Sequence, residues 1–379
     1  MQLKNQTILV TSNEPWGDLW YSKQNYAYEL SKHNQVYFIN PPTKYSPSNL
    51  VNNPISEGSY NENLHYIDYG NFLPLRNDWL IRKNNKMVSK HLQKYFHDKG
   101  ITDYIVWAFD PLRLYNPKLL GAKMGIYHCV DYYYFQYLGE HELCQHSDFL
   151  FATSQRFLDD YTKYTAPKHV VPHGISSEEF ETKQADLDNL DIELTDYAVY
   201  VGVIDHRMDF SLLEKALLRF PDLPFVFVGP VKLYHRPIKE QDLAAAQRIF
   251  EQKKYANMHS IGSRHFKTLK NYIKKAKLCI SFMDMEYHAN TVHHHKTLVY
   301  LTQGKPVFGP IFSEYKDLGN IMYMDNDGDK QLDMIATFLE HGEAAEIEHL
   351  RIDHARKYTF ENVLSDASKI IEEHTPNLT

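Results

Sequence analysis

Residues 278–310 read LCISFMDMEYHANTVHHHKTLVYLTQGKPVFGP. The stretch opens on LCISFM, an apolar run of strand length. A polar loop, 284–292, follows it. HHKTLVYLTQG then has helical period and stops at Gly304, a residue suited to a helix C-terminus. KPVFG starts a second apolar run. Strand, helix and strand over about thirty residues make a βαβ unit, whose two strands run parallel. Strands apolar along most of their length fit a sheet covered on both faces.

The same alternation extends outward. In the first half the runs are TILVTS, QVYFINP, LHYIDYG, YIVWAFD, GIYHCVD, FLFATS and HVVPHGI. In the second half they are AVYVGVI, FVFVGP, MHSIG, LCISFM, KPVFGP and IMYM. Helix-period segments such as 21–33 and 210–220 lie between them. The reading is an α/β chain with two Rossmann-like, doubly wound domains. The acidic stretch 176–197 has no apolar run and is read as the linker. The first domain is expected over 1–180 and the second over 181–379, with the last helix able to cross back onto the first.

Composition narrows the function. The chain has 379 residues and a net charge of −7, with a pI near 6.3; a nucleic-acid binder is not expected. No apolar run reaches the length of a membrane-spanning helix. Three scattered cysteines, Cys129, Cys144 and Cys279, argue against a disulfide framework and for a reducing cytosol. The start MQLKNQTILV lacks signal-peptide anatomy, so a cytoplasmic location is expected.

The three consecutive histidines are not expected to hold a metal. At about 100° per residue, His293, His294 and His295 fan over about 200° and cannot converge on one ion. Helical zinc ligands are spaced i, i+4 instead. The loop has a different use. Asn290, Thr291, the histidines and Lys296 sit where a helix begins beyond a parallel strand, and free N–H groups there attract phosphate. Two further strand-end loops fit the same ligand. In VGVIDHRMD, Gly202 lets backbone approach a ligand and Arg207 can fork onto phosphate oxygens. In IGSRHF, Ser263, Arg264 and Phe266 can flank a base.

At this point the chain resembles bacterial glycosyltransferases of the GT-B fold, of the retaining family-four or family-one kind. GVIDHRMDFSLLEKALLRFPDLPFVFVGPV, MHSIGSRHFKTLKNYIKKAKLCISFM and HHKTLVYLTQGKPVFGP carry the likeness in the second half. EPWGDLWYSKQNYAYELSKHNQVYFINPP, YHCVDYYYF, FLFATSQRF and VVPHGI resemble the subset that builds cell-surface polysaccharides such as capsule or exopolysaccharide. The resemblance implies two domains facing across a cleft, an acceptor in the first and a nucleotide-sugar, by family habit a UDP-sugar, in the second. It implies hexosyl transfer without a metal or other cofactor. The departures are specific. Val299 stands where the family carries a glutamate for the ribose, which leaves that contact to Glu286 or a backbone amide. Ser22-Lys23-Gln24 replaces Arg-Pro-Gln, and His173 replaces an asparagine.

If transfer inverts the anomeric centre, a base must take the acceptor's proton. Asp131 is the favoured candidate, with His128, Asp110 and Glu14 also at strand ends. Trp16 and Trp20 can stack on a sugar or on a lipid-linked acceptor. Residues 72–96 hold six Lys/Arg against one acid, beside Phe72, Leu73, Leu75, Trp79, Leu80 and Ile81. That mixture suits an anionic membrane surface, here the inner face, and hence a peripheral protein with a lipid-linked or glycan acceptor. An epimerase acting on a sugar nucleotide, or a non-catalytic glycan-binding or partner subunit, are the competing readings.

Overall fold

The computed structural model describes residues 3–17, 20–131, 138–285, 295–312 and 314–375. The chain forms two compact units. One comprises Met1–Gly174 with Phe360–Thr379, the other Ile175–Thr359.

The first unit is built on an eight-stranded sheet. Its strands are β1 (Thr7–Thr11), β2 (Gln35–Ile39), β3 (Ser56–Asn61), β4 (Leu64–Asp68), β5 (Ile105–Ala108), β6 (Met124–Cys129), β7 (Phe149–Ala152) and β8 (Lys168–Val170). Their order is β3-β4-β2-β1-β5-β6-β7-β8, parallel except for β3. From β1 the chain winds first one way and then, from β5, the other, so the reversal lies between β1 and β5. Val10 of β1 pairs with both Phe38 and Trp107 and is fully buried, as a central strand requires. The helices here are α1 (Ser22–Ser31), α2 (Asp78–Asp98), α3 (Leu138–His146) and α4 (Gln155–Asp159).

The second unit has six parallel strands: β9 (Ala198–Val201), β10 (Phe225–Val228), β11 (Met258–Gly262), β12 (Leu278–Ile280), β13 (Val307–Gly309) and β14 (Tyr323–Met324). Their order is β11-β10-β9-β12-β13-β14, with the reversal between β9 and β12. The helices are α5 (Gln184–Asp188), α6 (Phe210–Arg219), α7 (Glu240–Ala246), α8 (Leu269–Lys275), α9 (His295–Thr302), α10 (Gly328–His341) and α11 (Ala345–Arg356). The acidic stretch 176–197 lies in this unit, where Phe180, Leu190, Ile192 and Leu194 pack on its core.

The C-terminal segment breaks at Lys357–Thr359 and continues as α12 (Phe360–His374). This helix belongs to the first unit. Phe360, Val363, Ala367 and Ile371 join the core formed by Val10, Tyr26, Trp107 and Phe151. Each large apolar side chain buried this way contributes about 1.5–3 kcal/mol. Among the described residues no helix is long and apolar enough to cross a membrane.

Candidate functional site

Ligands in such sheets bind outside the carboxyl ends of the strands, where the winding reverses. In the second unit that position is bounded by the loop after β9 and the segment after β12. The two are stitched together: Asp284 N donates to Arg207 O at 2.9 Å, and Met208 bridges Met283. Arg207 does not extend freely. Its Nε and Nη2 donate to Asp205 Oδ1 and Oδ2, both at 2.9 Å. Asp205 is buried, and burial opposes its charge, but the Arg207 pair outweighs this and holds its pKa below the ordinary carboxylate value. At least two of the five guanidinium donors are thus committed, and the side chain is 46 % exposed.

Lys296 stands one turn before Tyr300 on α9, so both face β9. Its Nζ donates to Tyr200 Oη at 3.1 Å and lies 4.3 Å from the centre of the Tyr200 ring. Tyr200 Oη in turn donates to Val203 O at 3.1 Å. Tyr300, fully buried, accepts from Val201 N at 2.8 Å and ties α9 to the end of β9. A cation is thereby set over the 202–209 loop. Lys239 pairs with Asp284 at 2.7 Å on the β12 side.

Three glycines end neighbouring strands and join through their backbones: Gly202 N donates to Val228 O, and Gly229 N to Gly262 O. Gly229 has φ of +156°, and a Cβ there would fall 1.9 Å from Gly202 O. Gly229→Ala is therefore expected to cost about 1–3 kcal/mol and to displace the 202–209 loop. A thermal melt checks the first effect, and loss of nucleotide-dependent stabilisation the second. Gly229 sits in FVFVGP, where its strand-end position was the available signal.

The remaining second-unit candidates divide. Arg264 donates to Ser263 O and pairs with Asp191 of the acidic stretch. Ser263 is exposed and Phe266 half-buried, its ring 4.7 Å from that of His265. Val299 packs against the unit's core. Glu286, Asn290, Thr291, His293 and His294 lie outside the described residues, and His295 opens α9. Among the described residues no group of three or more His, Cys, Asp or Glu could hold a metal ion.

In the first unit, the ends of β1 and β6 flank a buried cation. Lys23 Nζ lies 2.8 Å from Asp131 Oδ2 and 3.1 Å from Glu14 Oε2, with its side chain only 3 % exposed. Burial alone would lower the Lys23 pKa, but Asp131 and Glu14 together raise it above its ordinary value. Asp131 is 55 % exposed, so its carboxylate reaches solvent while Lys23 holds one oxygen. Sequence reasoning noted Lys23 only as a departure from a pattern; its partners are far away along the chain. Ser22 and His173, two further departures, touch each other: Ser22 Oγ is 2.9 Å from His173 Nδ1.

His128 and Asp110 correct the sequence reading. His128 is fully buried among Tyr26, Phe109 and Phe151. The Trp107 indole donates to its Nδ1 at 3.3 Å, so Nε2 carries the proton and donates to Val171 O at 2.9 Å. A neutral ring is what burial demands, and it pushes the pKa down to about 3. Asp110, 1 % exposed, spends one oxygen on Leu112 N and the other on Arg113 Nε, both at 2.7 Å. Neither group is open to a bound hydroxyl. Trp16 and Trp20 pack with Phe38, Tyr28 and Tyr60.

His128 also makes a pH prediction. The unfolded chain protonates it near 6.5, the folded chain only near 3, so between these values the unfolded state binds more protons. Its contribution to stability is complete above pH 6.5 and falls as pH drops through that window. Urea midpoints measured from pH 7 to 4 are expected to decline, with a shallower slope in His128→Gln.

No family model matches the chain, and no curated protein matches it in sequence. Solved structures do match. The α,α-trehalose-phosphate synthase (UDP-forming) from Burkholderia vietnamiensis superposes with a TM-score of 0.70 at 12% identity, covering 99% of each chain. Sucrose-phosphate synthase from Thermosynechococcus elongatus gives 0.69 at 13%, covering 97% of this chain and 99% of that one. Anabaena HepE in complex with UDP and glucose gives 0.65 at 14%, covering 97% and 100%. At these identities the likeness carries the fold alone, and the chain has the GT-B fold.

Proposed function

We propose that the chain is a glycosyltransferase that moves a hexose from a nucleotide-sugar, a UDP-sugar by preference, to a glycan or lipid-linked acceptor in surface-polysaccharide synthesis. The observation that carries this reading is the cation over the reversal point of the second sheet: Lys296, braced by Tyr200 above the loop of Gly202 and Arg207. As the sugar leaves, negative charge grows on the diphosphate, and fixed cations and amide hydrogens stabilise it best in a site they already occupy. The start of α9 adds the positive end of its dipole. No metal is assigned to this step. The UDP named in the matched HepE structure, and the UDP-forming reaction named for the Burkholderia vietnamiensis synthase, support a UDP-sugar donor.

In the first unit Asp131 is assigned as the base that takes the acceptor's proton, with Lys23 and Glu14 fixing its position. A lipid-linked acceptor would be met at the inner face of a membrane.

The test is a thermal-shift panel of UDP-, GDP- and TDP-sugars. One nucleotide, expected to be UDP, should raise the melting temperature. Stabilisation by none of the three would remove the donor site, and with it the transferase reading. Strict dependence of turnover on an acceptor separates transfer from epimerisation.

A further inference from the structure

Helix α2 carries a feature that sugar transfer does not use. Its buried side is Asn84, Asn85, Val88, Ser89, Leu92 and Phe96. At about 100° per residue, Trp79, Arg82, Lys83, Lys86, Lys90 and Lys94 fall within an arc of about 120° on the opposite side, and all six are exposed. Two of these charges are answered within the unit: Arg82 pairs with Glu142 and Lys94 with Asp98. Among the described residues no ion pair takes up Arg76, Lys83, Lys86 or Lys90. Lys83 instead sits 4.8 Å from the centre of the Trp79 ring. Trp79 is 64% exposed, and Leu75, just before the helix, is 45% exposed.

A protein with net charge −7 that gathers unanswered lysines along one helix face presents a locally positive surface on an acidic body. The identity of the occupant follows from the kinds of side chain. Lysine ammonium groups are mobile point charges, suited to a field of phosphates without fixed geometry, whereas a folded acidic partner favours arginine forks. A tryptophan and a leucine at one end of the stripe have no use against a purely polar polyanion. They do suit the boundary between headgroups and acyl chains. We infer that the exposed face of α2 docks the protein on an anionic lipid bilayer, with Leu75 and Trp79 entering the interface and Lys83, Lys86 and Lys90 held over the headgroups.

This proposal stands apart from the transferase reading, because its readout is binding. The full chain is sedimented with vesicles of phosphatidylcholine alone and with vesicles containing about one-third phosphatidylglycerol. Binding is expected only to the second, weakening as salt rises to about 0.5 M. Replacing Lys83, Lys86 and Lys90 together by Ala is expected to lower the partition coefficient roughly a hundredfold. Trp79→Ala is expected to lower it by roughly tenfold. All four positions are exposed, so the melting temperature and turnover of a water-soluble acceptor should stay at wild-type values. Equal binding to both vesicle types, no binding to either, or wild-type binding by the triple variant would overturn the inference. So would retention of the wild type on a heparin column, lost in the triple variant, without any vesicle binding; that outcome assigns the face to an acidic polymer.

Discussion

Asp131→Asn is expected to lower kcat by about 10²–10⁴-fold while leaving donor affinity at its wild-type value. The amide keeps the shape of the carboxylate and can still accept from Lys23 Nζ, which lies 2.8 Å from Asp131 Oδ2. What it loses is the capacity to take a proton. Because Lys23 retains Glu14 at 3.1 Å, the buried ammonium is not stranded and the fold should survive. Initial rates at saturating donor, beside a calorimetric titration with the nucleotide, measure the two halves of the expectation. An unchanged kcat would remove Asp131 as the base.

Lys296→Ala should fail differently. It removes the cation set over the 202–209 loop, so both nucleotide binding and turnover fall. A ligand at a hundred times its Kd stabilises a protein by about 2.7 kcal/mol, roughly 5–10 °C in a unit of this size. A tenfold weaker Kd takes away about 1.4 kcal/mol of that. The loss in kcat/KM should be larger, about 10²–10³-fold, since charge on the diphosphate is greatest as the bond breaks. Lys296→Arg should recover part of both. A variant that binds and turns over like the wild type would mean that Lys296 serves only to pack on Tyr200.

The fold was legible because buried parallel strands announce themselves. Thirteen apolar runs were read from the sequence, and each overlaps a strand of the two sheets. The strand that escaped is β3, SEGSYN. It lies antiparallel at the sheet edge and is largely exposed, so it needs no apolar residues. The extent of α9 was readable from helical period and from Gly304, which has φ of +71°.

The candidate sites were legible only in part. Strand ends point to Asp131 and Gly202, and the start of a helix to Lys296, but position along the chain does not reveal orientation. His128 and Asp110 end strands too, yet one faces the core and the other is consumed by its own turn and Arg113. The partners that define the sites join distant parts of the chain: Lys23 with Asp131, Tyr200 with Lys296, Val201 with Tyr300. Local spacing carries no trace of such pairs. Ser22 and His173 make the same point from the other side. Each is an isolated departure from the pattern the chain resembles, and in the fold they are one hydrogen-bonded pair.

The placement of α12 bears on how the chain is born. A ribosome delivers Met1–Gly174 first, but the side chains Phe360, Val363, Ala367 and Ile371 that close this unit's core come only after the whole of Ile175–Thr359 has been made. Until then the nascent sheet keeps an apolar face open, a site for chaperones to hold and for aggregation to start. The second unit is contiguous and can close on itself in the meantime, so of these two units the one whose synthesis starts earlier is the one that matures later.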